Sequence, residues 1–249
     1  VIAFAVAASG RVAALGDGGR TLSLERAGPS RSIDLPFEAV RCRFRGEDLV
    51  VLGKGGELLS LSAEGQVRGT VRVREDACDL AVLPGGSVLV SYGRRGAEAH
   101  GVTLERFGDA PAAFRDPARL DRTRLAPAPG GVWLLGVAVE EPLARAVLLR
   151  PVPEGFLARE TVALPGPARS AATGPDGALF VLLEPGTFVV RVDKGRAGEP
   201  VLLPGPLHDL AREGHRLLGC GAHGVEDLTR LVPPPPPERP PPDLPPCSA

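Results

Sequence analysis

The chain contains no asparagine and no methionine, a single tryptophan (Trp133), a single tyrosine (Tyr92) and only two lysines (Lys54 and Lys194). Without asparagine there is no acceptor for N-linked glycosylation, and no active site here can use an Asn ligand or an Asn oxyanion donor. The missing methionine makes Val1 either an alternative start codon read literally or the first residue of a piece of something longer. Cysteine is sparse, and Cys42, Cys78, Cys220 and Cys247 form no CxxC pair. Individual buried residues or free thiols are therefore expected, not a disulfide framework. No apolar run approaches the roughly 20 residues of a membrane-spanning helix. The opening VIAFAVAASG has no basic segment before it and reads as a first strand. Charge of one sign is also lacking: the net charge is −1, so no bulk pull toward nucleic acid or an anionic membrane is expected.

What is present is turn-forming and apolar. Gly 32 and Pro 27 in 249 residues imply many turns, and no sustained 3.6-residue pattern signals a long helix. Apolar residues at 43% and charged residues at 24% are ordinary for a folded chain. Arginine far outnumbers lysine beside abundant Ala, Gly and Pro, the composition of a GC-rich bacterial coding sequence.

One unit recurs along the chain. IAFAVAASGRVAALGDGGRTLSLERAG sets the plan: an apolar strand, a short Gly turn, a second apolar strand, a Gly-rich connection and an alternating strand. VRCRFRGEDLVVLGKGGELLSLSAEG repeats it, as do four later segments. Anchored on the first apolar residue after the turn, the copies fall at Val12, Leu49, Val88, Val132, Leu179 and Leu217, with steps of 37, 39, 44, 47 and 38 residues. A period near 40 with three or four short strands per unit predicts an all-β fold, a β-propeller of about six blades. The second strands (RVAAL, DLVVL, SVLVS, VWLLG, ALFVLL, RLLGC) are apolar on both faces, as strands packed between two neighbouring sheets must be. The last unit lacks a fourth strand before the proline run. We expect Val1–Ala7, or residues before Val1, to supply it.

The domain reading is a propeller over 1–232 and a Pro-rich tail or linker over 233–249, where PPPPPERPPPDLPPCSA predicts an extended polyproline II segment. That tail is a spacer or a ligand for a proline-recognising groove. The repeat form, apolar-Ala-Val-x-x-x-Gly-x-Val/Leu-x-Val/Leu followed by Leu-x-Leu/Val-x-x-x-Gly, resembles NHL-like and related bacterial propeller repeats over residues 2 to about 232. The resemblance implies the fold more than a reaction, because that superfamily includes hydrolases, lyases, protein-binding hubs and sensor domains. No WD dipeptide or GH pair recurs. The lack of asparagine departs from calcium lactonase-type propellers, and no catalytic residue is carried over.

Candidate binding residues are arginines. Arg41, Arg43 and Arg45 alternate in VRCRFR on the inner strand of the second unit, where a stripe near the axis would suit an anion or a carboxylate-rich partner. Arg94 and Arg95 lie in Arg94–His100, which with Val137–Arg145 and Arg115–Arg124 breaks the repeat pattern most, as binding loops do. Arg115–Arg124 reads as a self-neutralising inter-blade loop. His208, His215, Cys220 and His223 have a zinc-like residue mix without zinc-motif spacing, so surface histidines and a buried cysteine are the expectation. No GxSxG, HExxH, P-loop or dinucleotide fingerprint occurs, and no cofactor is expected. The composite expectation is a non-catalytic scaffold binding a protein partner through rim loops. A propeller hydrolase or lyase with its site at the central channel, and a structural component of a larger assembly, are the alternatives.

Overall fold

Six short antiparallel sheets follow one another along the chain, and each begins with the strand nearest the axis. This computed structural model describes residues 2–25, 30–93, 100–105, 112–115, 119–152, 155–174 and 176–231. The inner strands are Ala3–Val6, Ala39–Arg45, Ala77–Val82, Leu120–Ala128, Ala168–Thr173 and Leu207–Glu213. Each touches the inner strands of both neighbouring sheets, the last against the first, so the sheets are blades of a closed six-bladed propeller. All six sequence anchors fall in second strands, from Val12–Leu15 in blade one to Arg216–Gly221 in blade six. One short helical turn, Asp17–Gly19, interrupts the strands. Gly19 there has φ 66°, and a side chain on it would strike the Ala39 carbonyl oxygen of blade two.

The doubly apolar second strands feed two different cores each. In blade two, Leu49 and Val51 pack toward blade one while Val50 and Leu52 pack toward blade three. Blade five divides in the same way: Leu179, Val181 and Leu183 face blade four, and Phe180 and Leu182 face blade six. The period-2 geometry of a strand makes this alternation automatic. The result is one apolar cluster per junction and no central core. Trp133, at 6% exposure, lies in the cluster between blades four and five. Junction sizes differ. The cluster between blades one and two has 13 buried residues, but the one between blades six and one has three: Phe4, Leu218 and Cys220.

Two expectations about strands need correction. Val1–Ala7 does not complete blade six, because Ala3–Val6 is the inner strand of blade one, paired Ala3 to Leu15 and Val6 to Val12. Blade six has three strands among the described residues, ending at Gly224–Asp227. Arg115–Arg124 is not one loop, since Ala112–Arg115 ends blade three and Leu120–Ala128 opens blade four. Its alternating charges hid a strand that carries a bulge, with Arg119 and Arg122 at φ 48° and 52°. The Pro-rich 233–249 stretch lies outside the described residues.

The small closing junction makes Phe4 the side chain on which ring closure leans. Phe4→Ala should lower stability by about 3–5 kcal/mol, whereas Val67→Ala, at a position 64% exposed, should stay within about 0.5 kcal/mol of the parent. Denaturant unfolding of both variants checks this. Equal, small losses would show that the last blade does not pack on the first.

Candidate functional site at the propeller axis

Five of the six inner strands carry an irregularity at the same place. The register slips between Ala39 and Arg41, Ala77 and Asp79, Asp121 and Arg124, Ala168 and Ser170, and Leu207 and Asp209. A bulge bends its strand and re-aims the next side chain. The residues after the slips are Arg41, Asp79, Arg124, Ser170 and Asp209, and together they form a polar belt around the axis.

That belt, with Arg43, bridges every junction. Arg43 Nη1 donates to the Phe4 carbonyl of blade one at 3.2 Å. Arg41 Nε donates to Asp79 Oδ1 of blade three at 3.2 Å. Asp79 Oδ2 accepts the Leu125 amide of blade four at 2.9 Å, and Arg124 Nε donates to the Arg169 carbonyl of blade five at 2.7 Å. The Ser170 hydroxyl accepts the Leu210 amide of blade six at 3.1 Å and donates to Asp209. Asp209 Oδ2 then accepts the Phe4 amide at 3.1 Å, joining the last blade to the first. Asp79 and Asp209 are 1% and 0% exposed.

Electrostatics follows from this geometry. Burial acts to raise the Asp209 pKa, but Arg43, Arg41, the Ser170 hydroxyl and the Phe4 amide outweigh it and hold the carboxyl below its ordinary value. Burial acts to lower that of Arg43, and the charges of Asp209 and Asp79 carry it above its ordinary value. Arg124 is pushed down by burial and by the Arg41 charge. Burial drives the Cys42 thiol up to about 12 against the opposing pull of Arg43, and Cys220 is raised by burial too.

The arginine stripe therefore faces inward and divides. Arg41 has each guanidinium nitrogen engaged, with Nη1 on the Val40 carbonyl and Nη2 reaching across the axis to the Arg169 carbonyl at 3.3 Å. Arg43 turns toward blades one and six and meets Asp209 Oδ2 at 3.4 Å. Arg45 Nη2 donates to Ser60 Oγ at 3.4 Å. Arg94 and Arg95 lie outside the described residues. Sequence reasoning missed Asp79, Asp209 and Arg169 and placed Arg124 in a loop, although the five belt positions sit eight or nine residues before the second-strand anchors of their units.

The histidines scatter. His208 Nδ1 lies 2.7 Å from Arg169 Nη2 at the axis, and Cys220 is buried in the closing junction. His215 and His223 occupy successive turns at opposite ends of blade six. Among the described residues no group of three His, Cys, Asp or Glu is placed to hold a metal. A buried pair not foreseen from sequence, His100 Nε2 to Asp121 Oδ1 at 2.9 Å, spans blades three and four. The channel is crossed by Arg41 at the belt, with Arg124 on the same Arg169 carbonyl. Beyond it, at the C-terminal ends of the inner strands, lies a cavity of about 210 Å³ walled by Val6, Phe44, Val82 and Pro127, with Arg43 and Arg212 in its lining.

Comparison with known proteins adds the fold and stops there. No protein-family model and no curated protein sequence matches the chain. Among solved structures, hydrazine synthase from Kuenenia stuttgartiensis aligns with TM-score 0.71 and 9% identity over 90% of this chain and 82% of that one. A virginiamycin B lyase from Staphylococcus aureus, solved with quinupristin, aligns with TM-score 0.63 and 12% identity over 90% and 82%. BBS1N in complex with ARL6DN gives 0.58 and 17% over 87% and 73%. The likeness is one of architecture. Enzymes and members of protein complexes both stand among these neighbours.

Two outcomes follow from the belt. Because the Asp209 carboxyl is held low in the fold, its stabilisation is complete above the unfolded value of about 3.9 and is lost as pH falls through the lower folded value. Asp209→Asn should cost roughly 3–5 kcal/mol near neutral pH, and the gap to the parent should shrink below about pH 4; denaturant unfolding across that range would show it, and a constant gap would contradict it. Native-state alkylation with peptide mapping should leave Cys42 and Cys220 unmodified, with both reacting once the chain is unfolded.

Proposed function

We propose that this chain is a non-catalytic interaction module that binds a protein partner through rim loops of one propeller face. The observation that carries the reading is the axis itself: its buried carboxylates are engaged by arginines and by neighbouring backbone amides. A propeller enzyme assembles its acids and bases from different blades around that axis, and here those groups hold the blades together. The hydrolase or lyase reading has the lyase among the structural neighbours in its favour. It would need a proton-transfer group open to the channel, whereas His100 and Asp121 are 1% and 14% exposed at a blade junction.

The proposed face is the one where second strands pass to third strands. In blade four that connection, Val139–Leu143, exposes Val139 (42%) and Leu143 (54%) around Glu140, Glu141 and Pro142. Paired exposed apolar residues inside an acidic loop suit a partner with an apolar contact rimmed by basic groups. Tyr92 and Gly101, which flank Arg94 and Arg95 in the sequence, sit at the same end of blade three. The resemblance of the repeats to NHL-like bacterial propellers supports the same class, as does the neighbour solved in complex with ARL6DN. In this reading residues 1–232 form the module and 233–249 join it to something further. A place as one component of a larger assembly would use the same face.

Affinity capture from a bacterial lysate tests the proposal, with three baits: the full chain, the chain ended at Val232, and the full chain with Val139→Asp and Leu143→Asp. One stoichiometric protein retained by the first two and lost from the third is expected. Retention by the double variant would remove the loop from the interface, and loss on truncation would move the contact to the tail.

A further inference from the structure

The cavity at the C-terminal ends of the inner strands is a built pocket whose chemistry differs from the rest of the axis. Its walls are apolar, drawn from Val6, Phe44, Val82 and Pro127 of four different blades. Two cations enter its lining, Arg43 and Arg212, and no carboxylate does. Arg43 donates its three hydrogen bonds from Nη1 alone, to Phe4, Cys42 and Asp209. Among the described residues its Nε and Nη2 meet no acceptor, and the side chain as a whole is 16% exposed. Arg212 is held from outside by Nε on the Gly214 carbonyl at 2.7 Å and Nη1 on the Gly174 carbonyl at 3.4 Å, which leaves Nη2 without an acceptor. Backbone carbonyls fix Arg212, backbone carbonyls together with the Asp209 carboxylate fix Arg43, and each guanidinium keeps donors to offer.

Charge at the axis points the same way. Arg41, Arg43 and Arg124 act on Asp79 and Asp209, so three cations meet two carboxylates at the belt beneath the cavity. An uncompensated positive field at the closed end of an apolar pocket favours an anion, and guanidinium groups favour carboxylates in particular. Size limits the remainder of the ligand. An apolar cavity of about 150 Å³ holds one benzene, so 210 Å³ accommodates a ring or a short branched chain with its anionic head.

We propose that this cavity is a binding site for a small carboxylate with a compact apolar body, whose carboxylate is held between Arg43 and Arg212. The site lies at the opposite end of the inner strands from the proposed partner face, so its occupancy is independent of that interaction.

Calorimetric titration of the full chain with sodium benzoate tests it, with benzyl alcohol and sodium chloride as comparison ligands. Benzoate should bind saturably at one site per chain. Benzyl alcohol, equal in shape and uncharged, should bind at least about tenfold more weakly, and chloride should give no saturable signal. Arg212 is exposed, so Arg212→Gln retains the fold and should weaken benzoate by about tenfold. Val6→Phe fills the pocket and should abolish binding with both arginines in place, its folding verified by thermal melting. A response to benzoate that fails to saturate, that benzyl alcohol matches, or that Arg212→Gln leaves unchanged would overturn the proposal.

Discussion

A ring of repeated sheets must fasten its last member to its first, and here two atoms of one carboxylate do much of it. Asp209 sits where the apolar junction is smallest, accepts the amide of Phe4 from blade one and the hydroxyl of Ser170 from blade five, and faces Arg43 of blade two. Buried ion pairs are weak evidence of net stability because desolvation opposes the attraction. This one has a further role, since an unpaired amide at the closing junction would otherwise be a buried donor without a partner. Asp79 does the same between blades two, three and four. Registry between blades is therefore set by directional bonds, and the apolar clusters fill in around them.

Much of the architecture was legible in the residues. The spacing of second-strand anchors and their two-sided hydrophobicity placed all six blades, because a strand between two sheets has no polar face to hide. The inner strands were harder. Ala3–Val6 looked like a borrowed closing strand, and Leu120–Arg124 looked like a loop, because a bulge breaks period-2 alternation where the charged residues stand. The same charges obscured the site. An alternating arginine face ordinarily reads as solvated, and nothing local to VRCRFR reveals that Arg41 meets a carboxylate 38 residues away and Arg43 one 166 residues away. Such pairings exist only once the ring is closed.

The two ends of the channel are chemically unlike. One end is capped by Arg41, Arg124 and Arg169, whose donors are directed at backbone carbonyls, at Asp79 and at His208. The other opens into a pocket with apolar walls and two partly uncommitted guanidinium groups. The difference follows from where the register slips: the bulges lie toward the start of five inner strands, which leaves the far ends to the pocket's apolar walls with Arg43 and Arg212 among them. A fold whose likeness to known structures speaks only of architecture thus still has two unlike ends, and the proposed partner face and the proposed anion pocket fall at opposite ones.

The reach of Arg41 from blade two to the carbonyl of Arg169 in blade five has a mechanical consequence. In a linear solenoid each repeat touches only its neighbours, so unfolding can travel inward from an end as a string of nearly independent steps. Here a strut spans the diameter. Loosening blade five withdraws an acceptor from blade two, and the Arg43 contact to Asp209 ties blade two to blade six as well. The six sheets are wired as a circuit and not as a chain, and disruption at one blade is felt at blades it does not touch.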